Sequence, residues 1–181
     1  MIEELLDLEE ITRGFPGLTR AWGDVLMEGC IAALWFNKHS SELEIVITGK
    51  DDRRFRLKFP EERKTQQLAD SWADTNEATV NGAACIGILL ALKLENLQVV
   101  KRAARFSGVD YWIGKADDGR LFQNKARLEV SGIFQGTNSE IERRYREKCD
   151  QTKQSDDSML PAYVAITEFS QPVAKFGKRW I

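Results

Sequence analysis

Leu97-Gln98-Val99-Val100-Lys101-Arg102, then Val109-Asp110-Tyr111-Trp112-Ile113-Gly114, then a longer run over 121–133 ending Ala126-Arg127-Leu128-Glu129-Val130-Ser131-Gly132-Ile133, decide how this chain is read. Each run is rich in β-branched and aromatic residues, and Gly114-Lys115-Ala116-Asp117-Asp118-Gly119 turns between the last two, so they read as three consecutive strands. Working outward, Glu77 to Leu94 carries Ala83, Ile86, Leu89, Leu90 and Leu92 and is apolar on almost every side, which predicts a buried helix ahead of the strands. After them Thr137 and Glu140 form a capping-box pair that opens a polar helix to about Lys153, with only Ile141, Tyr145 and Cys149 on its apolar stripe. The loop Gln154 to Ser158 and Pro161 then lead into Ala162-Tyr163-Val164-Ala165-Ile166, an unbroken apolar run of the kind a sheet covered on both faces contains.

The part before Glu77 is of a different kind. Glu3 to Thr12 is a short acidic helix candidate, broken by Gly14-Phe15-Pro16-Gly17. Leu18, Trp22, Val25, Leu26, Gly29, Ala33 and Phe36 then recur at helical spacing up to about Asn37. Leu43 to Thr48 and Phe55 to Phe59 alternate with period two around Gly49-Lys50-Asp51-Asp52, a β-hairpin that Pro60 closes, and helical pattern resumes over Glu61 to Ala73. The expected organisation is an extension of helix and hairpin over 1–76 and a core with a tail over 77–181, together one compact unit. The tail, Lys175 to Ile181, has the character of a segment that covers a sheet edge or binds a partner.

With 181 residues, 43% hydrophobic and 30% charged, the chain can bury a core without metal or disulfide staples. Its acidic start is unlike a secretory signal, and the longest apolar run, Ala83 to Leu92, stops short of a membrane span; both point to the cytoplasm. Cys30, Cys85 and Cys149 are odd in number, far apart and outside any metal-binding spacing, and read as buried thiols. His39 is the only histidine, which excludes histidine triads and multi-histidine zinc sites. Net charge is −2, but residues 1–95 hold 11 Lys+Arg against 17 Asp+Glu, while 96–181 hold 15 against 11. That asymmetry permits an anion-facing surface in the second half. Trp22, Trp35, Trp72 and Trp180 outside the core make a homodimer or a protein partner plausible.

The succession helix, three strands, helix, strand from Glu77 to about Phe169, with Asp110 opening the second strand and Glu129 within the third, resembles the core of the PD-(D/E)XK, or restriction-endonuclease-like, superfamily. The resemblance implies an α/β fold and a divalent-metal-dependent phosphodiesterase, a DNA nuclease of a bacterial defence or repair system. Asp110 and Glu129 would share Mg²⁺ or Mn²⁺, with Glu77 an additional acidic ligand. Where the family has a lysine two positions after the acid, this chain has Ser131. Lys125 and Arg127 flank Glu129 at strand spacing, and Arg144 and Lys148 on the following helix are further cations for that role or for DNA. The missing lysine also admits a second reading, a catalytically inactive member kept as a protein-binding or regulatory subunit. A Glu between Arg and Ser on one strand face equally describes an ordinary solvated face. Arg53, Arg54, Arg56 and Lys58 read as a solvated hairpin face, and no glycine-rich phosphate loop is present.

Overall fold

Strand pairing across the whole chain organises the protein, described here for residues 4–115 and 126–179 of a computed structural model. It is a mixed α/β fold around one eight-stranded sheet. The strands are β1 (Glu4–Asp7), β2 (Glu42–Thr48), β3 (Arg53–Lys58), β4 (Gln98–Arg102), β5 (Tyr111–Gly114), β6 (Ala126–Ile133), β7 (Ala162–Glu168) and β8 (Val173–Arg179). Their order across the sheet is β1-β3-β2-β8-β7-β6-β5-β4. The predicted run of strands at Leu97–Gly114 is present as two antiparallel neighbours; β5 and β6 are again antiparallel, and β6 and β7 are parallel. The part of the third run before Ala126 lies outside the described residues.

Two layers of helix enclose the sheet. On one face, α1 (Arg20–Phe36) packs on α3 (Thr75–Glu95), and α3 lies on β6 and β7. Gly82 permits the helix contact, since a Cβ there would come within 2.9 Å of the Cys30 Cα. At 21 residues α3 is long and apolar enough to pass for a membrane span, more than the run Ala83 to Leu92 suggests. Yet 67% of its apolar window is buried against the sheet and α1, so its surface is used within the core. α3 starts on Asp74, whose side chain accepts from the Asn76 N–H, and stops on Asn96 in the left-handed conformation (φ 54°). The short α2 (Gln66–Ser71) occupies part of the predicted helical stretch Glu61–Ala73.

On the other face lies α4 (Asn138–Gln151), capped by Thr137 and Glu140 as their spacing predicts. Its stripe of Ile141, Tyr145 and Cys149 packs with Val164 and Ile166 of β7. Residues of β7 are therefore buried on both sides.

Two elements depart from the reading of the sequence. The acidic start is helical only in its second half: β1 runs parallel to β3, and a 3-10 helix, Leu8–Arg13, follows. The pairing draws Leu6 into the core and overrides local preference. The C-terminal tail does not cover an edge. β8 lies between β2 and β7, parallel to the first and antiparallel to the second, and so joins the hairpin to the rest of the sheet.

Candidate metal-binding and catalytic site

Asp110 stands immediately before β5, where its N–H donates to the Leu128 carbonyl at 3.0 Å and its carbonyl accepts from the Ala103 N–H at 2.8 Å. Both neighbouring strands thus fix its backbone. Its Oδ2 accepts from the Val130 N–H at 2.9 Å, which aims the carboxylate across β6 toward Glu129. Glycine at 108 makes the approach possible: φ is +77°, and a Cβ would stand 2.6 Å from the Gln151 carbonyl.

Glu129 is only 1% exposed. The alternation of β6 sends Arg127, Glu129 and Ser131 to the α4 side, while Val130 and Gly132 meet α3. What reads in sequence as a solvated face is roofed by a helix. From that roof Lys148 donates to Glu129 Oε1 at 2.6 Å, and Gln151 Nε2 donates to the same oxygen at 3.0 Å. Gln151 Oε1 in turn accepts from Lys148 at 2.9 Å. The other oxygen, Oε2, is buried and accepts no hydrogen bond. The Asp110 carboxylate lies beside the Glu129 carboxyl.

These surroundings oppose ionisation of Glu129. Burial, then the negative charge of Asp110, push its carboxyl up to about 7, and Lys148 only partly offsets them. A buried carboxylate with one unsatisfied oxygen and a second carboxylate beside it is costly as it stands, and either a proton or a cation relieves it. The two groups offer hard oxygen donors of the number Mg²⁺ commonly takes from a protein, with water and phosphate completing the octahedron. Among the described residues no group of three or more His, Cys, Asp or Glu side chains forms a fuller cage.

The other expected site residues divide sharply. Lys125 lies outside the described residues. Arg127 does not face the carboxylates. It is 0% exposed and donates to the Leu160 carbonyl at 2.9 Å, the Thr152 carbonyl at 2.9 Å, Ser155 Oγ at 2.8 Å and Asp156 at 3.1 Å. A guanidinium so used pins the 3-10 turn Thr152–Ser158 to the sheet, with Arg179 as the second cation on Asp156. Glu77 is exposed in the first turn of α3, on the opposite face of the sheet from Glu129, and belongs to no metal-binding group of three or more side chains among the described residues. Arg144 stands one helical turn before Lys148, on the same side of α4, and donates to Ser131 Oγ at 3.0 Å. A cation therefore does stand over the position where the expected lysine is missing. On the hairpin, Arg53 pairs with Glu4 and Arg54 with Glu44 at 2.7 Å, as a solvated face would. His39 Nε2 lies 3.0 Å from the Phe169 carbonyl, a structural contact.

Asp110 opens into a cavity of about 730 Å³ lined also by Arg102, Arg105, Phe106, Gln151 and Gln154. Gln151, Arg102 and Arg105 are absent from the expectations drawn from sequence. Gln151 follows Lys148 by three positions, a helical spacing that would have flagged it once Lys148 was placed on the sheet. The loop residues carry no comparable signal. Compared with family models, curated proteins and solved structures, the chain matches none.

Proposed function

We propose that this chain is a divalent-metal-dependent phosphodiesterase acting on DNA, built on a restriction-endonuclease-like core, in which Lys148 supplies from α4 the positive charge that Ser131 does not. The observation that carries the reading is the Lys148 ammonium 2.6 Å from Glu129 Oε1, beside a second carboxylate on the adjacent strand. The element order α3-β4-β5-β6-α4-β7 supports the same reading, because it is the order the resemblance requires.

Asp110 and Glu129 Oε2 would hold Mg²⁺ or Mn²⁺, which when bound polarises a phosphate oxygen and lowers the pKa of a bound water. The chain's own residues do the rest. The Val130 N–H and the backbone bonds of Asp110 hold one donor, and Lys148 and Gln151 hold the other by its far oxygen. Lys148 is partly exposed and donates to Gln151, which lines the cavity, so its charge would act on a phosphate placed there. Arg144 beside it strengthens the field for an anion. Because Glu129 retains its proton until about pH 7, metal loading displaces a proton and strengthens above that pH.

The test is cleavage of supercoiled plasmid, linear duplex and single-stranded DNA in Mn²⁺ and in Mg²⁺. The expected result is cleavage by the wild type and a loss of about 100-fold or more for Asp110→Asn and for Lys148→Met, with melting transitions retained. Wild-type activity no higher than that of Asp110→Asn on every substrate would remove the proposal.

A further inference from the structure

We infer that the β4–β5 loop makes this a site for unpaired nucleic acid, with the Phe106 ring stacked on an exposed base and Arg102 and Arg105 on the flanking phosphates; this rests on the phosphodiesterase reading. Phe106 is 96% exposed, the most exposed of the large apolar side chains among the described residues. It also has φ +67°, a left-handed conformation that a bulky residue rarely adopts. Its ring gains almost no burial that would offset the strain. Strained backbone that the fold does not repay locally is characteristic of binding and catalytic loops.

The loop nevertheless is held at its base. The Ala103 N–H donates to the Asp110 carbonyl at 2.8 Å, the Ser107 N–H to the Ala104 carbonyl at 3.3 Å, and Ser107 Oγ to the Val109 carbonyl at 3.1 Å. A fastened backbone thus presents a bare aromatic ring on the rim of the cavity into which Asp110 opens. Both arginines line the same cavity. Arg102 lies over the Trp22 ring at 5.0 Å, which steadies it, and Arg105 has no hydrogen bond or ion pair within the described residues. An aromatic platform with guanidinium groups beside it binds single strands with little sequence preference, because every base has a π-face and every linkage a charge. A blunt duplex keeps its base faces stacked away from such a ring.

The experiment is fluorescence anisotropy in EDTA with a labelled single strand, a tailed duplex and a blunt duplex, so that binding is read without cleavage. Wild type is expected to prefer the single strand and the tailed duplex over the blunt duplex by about tenfold or more. Phe106→Gly, which removes the ring and relieves the positive φ, should melt no lower than wild type yet bring single-strand binding down to the duplex level. Phe106→Trp should retain the preference. Equal affinity for blunt duplex and single strand in the wild type, or unchanged single-strand binding by Phe106→Gly, overturns the inference. Cleavage that persists while binding ignores Phe106 refutes the stacking alone. Absence of cleavage with Phe106-dependent binding refutes the phosphodiesterase reading alone.

Discussion

Glu129→Gln separates the electrostatic state of the site from its shape. The wild-type carboxyl keeps its proton to about pH 7 in the folded protein, against an ordinary value of 4.5. For an acid with a raised folded value, the unfolded chain loses the proton first as pH climbs, so stability is highest below about 4.5, falls through the interval and levels off above 7. At 1.36 kcal/mol per pH unit that difference is worth roughly 3 kcal/mol in all, and about 2–3 kcal/mol between pH 5 and pH 8. Glutamine has no proton to lose, occupies nearly the same volume, and can still accept from Lys148 and Gln151 through one oxygen. Relative to wild type, the variant should therefore gain about 2–3 kcal/mol on going from pH 5 to pH 8, or roughly 5–10 °C in melting temperature. The assay is thermal and urea unfolding by circular dichroism in EDTA at both pH values, with the exposed Glu147→Gln as control. Mn²⁺ at pH 8 should raise the melting temperature of the wild type and leave that of Glu129→Gln nearly unchanged. Parallel pH profiles for the two proteins in EDTA would refute the account of Glu129 as a carboxyl that burial and Asp110 hold against ionisation.

Arg127→Met should lower stability by about 3–5 kcal/mol in urea unfolding, because it leaves the Leu160 and Thr152 carbonyls without their buried donor. A variant as stable as wild type that has lost cleavage would return Arg127 to the catalytic group. Removing residues 172–181 should abolish cooperative unfolding, since β8 is the strand that joins β2 to β7. A truncated protein with a sharp melting transition would show that the hairpin half and the α3–β7 half pair without it.

Sequence made the elements legible wherever a period was long and its surroundings uniform. α1, α3 and the hairpin strands follow from hydrophobic spacing, and α4 begins at the capping pair Thr137 and Glu140. Asp110 and Glu129 were also legible as neighbours, because two runs separated by a turn pair antiparallel and bring Tyr111 opposite Leu128. The cation was not. Strand alternation looks only along β6 and therefore favours Arg127 and Lys125, while the helix that roofs the strand decides which charge reaches Glu129. Its placement of Arg144 and Lys148 over β6 is a packing outcome, and no local signal ranks these two ahead of Lys125 and Arg127. Burial inverted Arg127 in the same way: the 3-10 turn after α4 provides the carbonyls that hold it.

The sequence alone determined α1, α3 and α4, most of the strands and the closeness of Asp110 and Glu129, because each rests on periodicity, capping or pairing between near neighbours. Tertiary structure decided that β1 and β8 are strands at all, that Lys148 and Gln151 hold Glu129, that Glu77 lies on the far face, and that a strained Phe106 overlooks the cavity. Each of these depends on residues far apart in the chain meeting across a sheet, and the free energy that selects such meetings comes from burial of the assembled whole, with no share assigned to any one segment beforehand.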